Sequence, residues 1–247
     1  MQRENETIDE LLLGNLRLLQ AEKGYRFSID SILLSRFVKT CADDSVVDLG
    51  TGCGIVPLLL AKLGSARQLV GIELQSQMAG RAERNVVLNG LQQRVRIING
   101  DLRNVRDLLP DSCADLVVSN PPYRPVGSGR IAPEDERAAA RHELAGGLEN
   151  FLAAARWLLK NGGRFAVIYL AERLPELLQQ MKGAGIEPKR LRMVHPRQGE
   201  AARMVLVEGR MAGRPGLLVE PPLYIYQGEG RDYTAEVLAF YKDDPDD

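Results

Sequence analysis

The segment SVVDLGTGCG, residues 45–54, decides the fold class of this 247-residue chain. A short apolar run, Ser45–Leu49, leads into glycines at alternate positions, and an apolar helical pattern follows over Pro57–Leu63. Glycines at such a point permit positive φ and let the backbone approach a ligand closely, where a Cβ atom would clash. The segment therefore predicts a first central strand, a glycine loop and a helix of an α/β fold.

Apolar runs of strand length alternate with helical patterns after this segment, which predicts a mostly parallel sheet with helices on both faces. Further strands are expected at Gln68–Glu73, Arg94–Asn99, Ala114–Ser119 and Arg164–Leu170. Helices are expected at Gln77–Asn89, Leu148–Leu159 and Leu174–Lys182, the second of them closed by Asn161-Gly162-Gly163. The runs Pro188–Val194 and Arg203–Arg210 are predicted to form an antiparallel terminal hairpin, which gives seven strands. We divide the chain into an N-terminal extension, residues 1–40, packed on a catalytic domain, residues 41–247.

The composition excludes several broad classes of protein. The net charge is −1, which excludes a generally basic nucleic-acid binder but not a local basic patch. Residues 1–10 show no apolar leader, and no apolar run reaches the roughly 18 residues that span a bilayer. The cysteines Cys41, Cys53 and Cys113 are odd in number and lack C-x-x-C spacing, which fits a reducing compartment. We therefore expect a cytoplasmic protein.

The spacing of the glycines distinguishes two kinds of nucleotide site. A dinucleotide fingerprint, G-x-G-x-x-G, needs glycine at position 55, where Ile55 stands, and this argues against a nicotinamide-dependent oxidoreductase. The tighter loop favours a ligand portion other than a pyrophosphate, such as the methionine moiety of S-adenosylmethionine. Glu73, at the end of the next strand, is placed to accept hydrogen bonds from both ribose hydroxyls. Asp101 follows the third strand and is placed either to accept from an adenine amine or to cap a helix.

Asn120-Pro121-Pro122-Tyr123, directly after the fourth strand, indicates the chemistry. The lone pair of an exocyclic amine is delocalised into its ring, so an enzyme must accept the amine hydrogens in bonds that turn the lone pair toward the methyl group. The Asn120 side-chain oxygen and the Pro121 carbonyl are suitable acceptors, and consecutive prolines stiffen their loop. Tyr123 offers a flat face on which a base can stack. A proline-rich turn with an exposed tyrosine is the alternative interpretation.

These motifs resemble those of class I S-adenosylmethionine-dependent methyltransferases of the N6-adenine type. Three further segments, Tyr25–Leu34, Arg141-His142-Glu143 and His195-Pro196-Arg197, resemble bacterial tRNA(Val) adenine-N6 methyltransferases, and the resemblance spans most of the chain. It implies a Rossmann-like fold, S-adenosylmethionine as the methyl donor with S-adenosylhomocysteine as its product, and the adenine just 3′ of a tRNA anticodon as the acceptor. It also implies that Phe27–Asp30 helps to close over the donor.

The predicted site combines residues from these motifs. Catalysis is assigned to Asn120, Pro121 and Tyr123. Binding of the donor is assigned to the glycine loop, the strand ends and the N-terminal segment: Phe27, Asp30, Asp48, Gly50, Gly52, Gly54, Glu73, Leu74, Asp101, Leu102 and Asn120. Substrate binding is assigned to Pro122, Tyr123, Arg124, Arg130 and Arg141.

The arginine assignments depend on the loop at residues 124–141, in which spaced arginines accompany glycines. Such a loop suits contacts to a phosphate backbone, although a loop with solvated charges is the alternative. His142 and His195 have no neighbours at metal-ligand spacing, so we expect no metal site and favour structural roles for both.

Other functions share the same core motif. Protein-glutamine and guanine-N2 rRNA methyltransferases use it too, but the former usually carry a separate helical domain, for which the residues before Ser45 are few. A non-catalytic RNA-binding module that retains the fold is the non-enzyme alternative, and the intact Asn120 argues against it. We expect RNA, and specifically tRNA, as the partner, with no membrane and no obligate protein partner.

Overall fold

The computed structural model describes residues 3, 5–11, 13–22, 28–121 and 147–242. Its strands are β1 (Glu6–Leu11), β2 (Leu16–Ala21), β3 (Ser45–Leu49), β4 (Gln68–Glu73), β5 (Val95–Asn99), β6 (Ala114–Ser119), β7 (Leu159–Leu170), β8 (Ile186–His195), β9 (Met204–Met211), β10 (Leu218–Val219) and β11 (Leu223–Tyr224). Its helices are α1 (Ile29–Phe37), α2 (Ile55–Leu63), α3 (Ser76–Leu88), α4 (Val105–Leu108), α5 (Leu148–Leu158), α6 (Leu174–Gly183) and α7 (Ala235–Ala239). Single 3-10 turns lie at Leu13–Asn15, Leu102–Asn104 and Ala171–Arg173.

The central sheet has the strand order β5-β4-β3-β6-β7-β9-β8. Neighbours from β5 to β7 pair in parallel, whereas β9 is antiparallel to both β7 and β8. The order reverses between β3 and β6, where an open α/β sheet forms a crevice at the carboxyl ends of its strands. The predicted α/β fold, a mostly parallel sheet with an antiparallel hairpin, is confirmed. The two-residue strands β10 and β11 extend it in parallel beyond β8, so the hairpin is not the edge of the sheet.

Helices cover both faces of the sheet, because its strands are apolar on both sides. Along β3, Val46 packs in a core with α1, α2 and α3, whereas its neighbour Val47 packs in a second core with α4, α5 and α6. Successive strand residues point to opposite faces, so a strand covered on both sides reads as a continuous apolar run. That explains why the central strands were recognisable in the sequence.

Several predicted boundaries are shifted, and the largest shift is at β7, which begins at Leu159 rather than at Arg164. The helix after the glycine loop begins at Ile55, two residues before Pro57. The helix α5 ends at Leu158, and Asn161-Gly162-Gly163 lies inside β7 rather than acting as a helix stop. Leu159 already pairs with Ala114, through a register shift in β6, and this pairing draws the glycine pair into the strand.

The strands β1 and β2 form a separate two-stranded antiparallel hairpin that packs on α3. Glu6 of β1 is buried there, with its carboxylate 3.0 Å from Arg81 Nε and 2.6 Å from Arg84 Nη1. The hydrogen bond from Arg84 outweighs burial and lowers the pKa of Glu6 to about 2. The hairpin is thus fastened to the helix that follows β4, while the division of the chain at residue 40 stays a prediction. No helix in the described ranges is both long and apolar enough to cross a membrane.

Replacing Glu6 with glutamine should destabilise the protein by about 3 kcal/mol, because two arginines would then lie beside an uncharged group in a buried position. Urea unfolding at pH 7 measures this change. Glu10→Gln, at an exposed position of the same strand, serves as the control and should change stability by less than about 0.5 kcal/mol. Equal effects of the two substitutions would contradict the ion-pair account.

Candidate functional site

The glycine loop joins β3 to α2 at the carboxyl edge of the sheet. Gly50, Gly52 and Gly54 have φ of +73°, +59° and +83°, a region that L side chains rarely adopt. A Cβ atom on Gly50 would lie 3.2 Å from the Phe151 ring, and one on Gly54 would lie 3.2 Å from Cβ of Ala82. The loop is therefore held close between α5 and α3, and its three glycines have the positive φ that their spacing predicts.

Glu73, at the end of β4, fastens this loop to the beginning of α3. Its Oε2 atom accepts from the Gly52 N–H at 2.9 Å and its Oε1 atom accepts from the Gln75 N–H at 2.9 Å. The side chain is buried, and burial raises its pKa against the opposing effect of these backbone hydrogen bonds. The Leu74 N–H also lowers this pKa as a backbone donor. Because each carboxylate oxygen can accept two hydrogen bonds, Glu73 retains capacity for at least one further donor.

Asp48, in β3, carries a carboxylate whose charged form is disfavoured by burial. The residue is 3% exposed, and no hydrogen-bond partner for its Oδ2 atom lies among the described residues. Burial raises the pKa of Asp48 to about 7, opposed by the Thr51 hydroxyl and reinforced by the negative charge of Glu73. A buried carboxylate with one oxygen left without a partner is a position that a cationic ligand group would stabilise.

Asn120 follows β6 and lies beside α1. Its Nδ2 atom donates to the Ser31 hydroxyl at 3.5 Å, and the preceding Ser119 hydroxyl donates to the Leu49 carbonyl at 2.9 Å. Ser31 and Ser119 are buried. These contacts fix the end of β6 against β3 and α1, and they place the Asn120 amide nitrogen on the Ser31 side of the site.

Three further predicted donor-site residues, Leu74, Asp101 and Leu102, follow the ends of β4 and β5. Asp101 caps the 3-10 turn Leu102–Asn104, where its Oδ1 atom accepts from the Arg103 N–H at 2.9 Å and both of its oxygens contact the Arg103 guanidinium. The ion pair lowers the pKa of Asp101. Leu102 is buried, and the Leu74 carbonyl accepts from Asn99 Nδ2 at 3.0 Å.

Asp30, near the beginning of α1, accepts from the Ser28 hydroxyl at 2.8 Å. Burial raises the pKa of Asp30, and the Ser28 hydrogen bond opposes that change. The ring of His195 contacts the Glu200 carbonyl at 2.7 Å and packs 5.4 Å from the Tyr224 ring, contacts that suit a structural role. Several residues assigned from the sequence lie outside the described residues: Phe27, Pro122, Tyr123, Arg124, Arg130, Arg141 and His142.

A pocket opens between the glycine loop, α1 and the end of β6. It is lined by Ser31, Asp48, Gly50, Thr51, Cys53, Ile55, Val56 and Asn120. It brings together three of the predicted residues, Asp48, Gly50 and Asn120, whereas Glu73 and Asp101 are not among its lining residues. The assignments missed Ser31, although it stands in the N-terminal segment that carries the family resemblance. In the part of the chain that the structure describes, no three potential metal ligands lie together; the expected absence of a metal remains a prediction.

Residues 28–184 match the family described as the methyltransferase small domain. The chain belongs to this family. The match includes the glycine loop, Glu73 and Asn120, and it confirms the expected enzyme class, a methyltransferase.

Curated relatives extend this finding to most of the chain. A protein of Tolumonas auensis named tRNA1(Val) (adenine(37)-N6)-methyltransferase is 29% identical over 85% of this chain and 85% of its own length. A protein of Dyadobacter fermentans with the same name is 23% identical over 81% of this chain and 82% of its own length. The resemblance stated from the motifs is thereby confirmed.

A solved structure supports the fold independently. The crystal structure of a predicted O-methyltransferase from Agrobacterium tumefaciens superposes with a TM-score of 0.68 at 22% identity, covering 86% of this chain and 95% of that chain. At this identity the likeness concerns the fold alone, which is a Rossmann-like methyltransferase fold.

The raised pKa of Asp48 predicts how the stability of the ligand-free protein depends on pH. The folded state holds this proton up to about pH 7, whereas the unfolded chain releases it near pH 4. The stabilising contribution of Asp48 is thus fully present below pH 4. It is lost as the pH rises to 7, which lowers the free energy of unfolding by at most about 4 kcal/mol. Asp48→Asn should remove that part of the decline, as measured by urea unfolding between pH 4 and pH 8.

Asp111→Asn, an exposed position, is the matched control and should keep the wild-type dependence on pH. If Asp48→Asn and the wild type lose stability in parallel over this range, the Asp48 carboxylate is not held in a buried, unpaired state.

Proposed function

We propose that this protein transfers a methyl group from S-adenosylmethionine to N6 of an adenine in the anticodon loop of a tRNA. The observation that carries the proposal is Asn120, an amide at the end of β6 that lines the same pocket as Asp48 and the glycine loop. The family supplies the reaction class, and the relatives' names favour adenine N6 over a protein glutamine, guanine N2 or a non-catalytic RNA-binding role.

The described residues fit the donor. Its methionine portion carries an ammonium group, which the buried Asp48 carboxylate would attract, since its Oδ2 atom has no hydrogen-bond partner among the described residues. The positive-φ glycines let that portion approach the backbone without meeting a side chain. Glu73, buried beside the loop, has acceptor capacity left for ribose hydroxyls. Leu74, Asp101 and Leu102 follow at neighbouring strand ends, where we place the adenosine.

Asn120 would prepare the acceptor amine. When its nitrogen donates to Ser31, its oxygen is turned away from Ser31 and toward the side from which the amine must approach. The Asn120 oxygen and the Pro121 carbonyl then accept the two amine hydrogens, so that the nitrogen lone pair is aimed at the methyl group. The bound S-adenosylmethionine supplies that methyl group on a positively charged sulfur. Alignment of the two reactants accounts for the catalysis without a general base, since the product nitrogen releases its proton to water.

The other assignments complete this proposal. Tyr123 would stack on the target base and Pro122 would hold the loop, while Arg124, Arg130 and Arg141 would contact phosphates of the RNA. Phe27 and Asp30 would close over the donor. An anticodon-loop adenine is already unpaired, so little energy is needed to present it to a small enzyme. A cytoplasmic location, the absence of a metal and the absence of an obligate protein partner are further parts of the proposal.

Asn120→Ala tests the proposal at its centre. The wild-type protein, incubated with S-adenosylmethionine and bulk tRNA, should form N6-methyladenosine, detected by mass spectrometry of the digested nucleosides. The variant should form it at least about 10²-fold more slowly, because one aimed hydrogen bond of the transition state is lost. Its affinity for the donor, measured by calorimetry, should stay close to that of the wild type.

Asn161→Ala, at an exposed position near the amino end of β7, is the matched control and should leave the rate unchanged. Parallel incubations with ribosomal RNA and with cell protein test the rival acceptors. Methylation of protein glutamine or of guanine instead of adenine would overturn the acceptor, and an undiminished rate in Asn120→Ala would overturn the role of Asn120.

A further inference from the structure

Asn85, on α3, joins two parts of the chain that lie far apart in sequence. It is fully buried, and its side chain pairs with the backbone of Leu19 in β2: Oδ1 accepts from the Leu19 N–H at 2.7 Å, and Nδ2 donates to the Leu19 carbonyl at 3.1 Å. The second hydrogen of Nδ2 goes to the Cys53 carbonyl at 2.9 Å. One amide therefore binds the N-terminal hairpin and the glycine loop at the same time.

Asn89, one helical turn further along α3, makes the same pair of bonds to the hairpin. Its Oδ1 atom accepts from the Arg17 N–H at 2.9 Å, and its Nδ2 atom donates to the Arg17 carbonyl at 2.8 Å. Its Nδ2 atom also donates to the carbonyl of Asn85, and among the described residues it makes no hydrogen bond to the glycine loop. The two asparagines thus share one function, docking of the hairpin, and differ in the contact to Cys53.

The contact to Cys53 lies at the centre of the loop. Cys53 is buried between Gly52 and Gly54, both of which have positive φ. The direction of the Cys53 carbonyl therefore depends on the backbone dihedral angles of both glycines. Gly54 rests against Ala82, one turn before Asn85 on the same helix. Glu73 holds the Gly52 N–H from the other side. Between them, Glu73 and Asn85 fix one N–H and one carbonyl of the loop.

We propose that Asn85 is a positioning residue for the donor: it holds the glycine loop in its binding conformation and couples that conformation to the N-terminal hairpin. The inference rests on the proposed function, because it takes the loop as the S-adenosylmethionine site. When the Asn85 amide is removed, the buried Cys53 carbonyl loses its hydrogen-bond donor. The loop then relaxes until this carbonyl finds another donor. Binding must then include the cost of reordering the loop, which lowers affinity for the donor.

The test compares Asn85→Ala with Asn89→Ala. Calorimetry with S-adenosylhomocysteine should show binding weakened roughly tenfold or more in Asn85→Ala, as expected for one buried group left without its partner. Asn89→Ala, which loses the hairpin contacts and the bond to the Asn85 carbonyl but no contact to the glycine loop, should bind within about twofold of the wild type. In methyl-transfer assays, Asn85→Ala should raise the donor KM more than it lowers kcat, whereas a general loss of folded protein would lower kcat alone.

The outcomes separate the inference from the proposed function. If the wild type does not bind S-adenosylhomocysteine, the proposed function fails. If the wild type binds and the two variants lose affinity equally, the proposed function stands and the inference is overturned, because hairpin docking alone explains both losses.

Hydrogen exchange on the wild-type protein keeps the inference testable if Asn85→Ala does not fold. Binding of S-adenosylhomocysteine should slow exchange in β2, around Leu19, as well as in the glycine loop, since coupling between two sites is reciprocal. Slowed exchange in the loop with no change in β2 would overturn the coupling.

Discussion

A single buried carboxylate holds the site together. Glu73 ends β4, accepts from Gly52 in the loop after β3, and accepts from Gln75 at the beginning of α3. The Glu73 carbonyl in turn accepts from Asn99 Nδ2 at 2.8 Å and from the Gly100 N–H at 2.9 Å, which brings in the end of β5. Three neighbouring strand ends are thereby tied to one residue. Their separations are fixed before any ligand arrives, and such preorganisation is what a site for aligned methyl transfer requires.

This arrangement has an electrostatic cost. Asp48 and Glu73 place two buried carboxylates near each other, and burial raises the pKa of both. Elsewhere in the molecule buried acids are paired, as Glu6 is with Arg81 and Arg84. Among the described residues neither Asp48 nor Glu73 forms an ion pair, and buried carboxylates without an opposite charge are typical of functional sites, where a ligand can supply that charge. A donor with an ammonium group and ribose hydroxyls is a chemical match for these two carboxylates.

The sequence predicted the central sheet well and the periphery poorly, for physical reasons. Strands such as β3 and β6 are buried on both faces and read as continuous apolar runs. The N-terminal hairpin escaped prediction because its burial includes Glu6 and Gln20, whose polar side chains hide the alternation of a strand. The partners of Glu6 lie 75 and 78 positions away, on α3. Strands of two residues, such as β10, carry no periodic signal.

In the candidate site, too, local features were predictable and contacts between distant residues were not. Glycines with positive φ and an acidic strand end are local features, so the loop and Glu73 were identified from spacing alone. Ser31 and Asn85 act through contacts to residues distant in the chain, Asn120 and Cys53, which no local pattern encodes. In the sequence alone, a serine or asparagine within a helix cannot be distinguished from an ordinary polar residue. Roles of this kind become visible only once the fold brings the partners together.

The decisive measurement is a crystal structure of the protein with S-adenosylhomocysteine bound. If Asp48 and Glu73 hold the donor, its methionine amino group lies beside Asp48, its ribose hydroxyls meet Glu73, and its sulfur faces Asn120. A ligand bound elsewhere, or one whose sulfur points away from the end of β6, would contradict this arrangement.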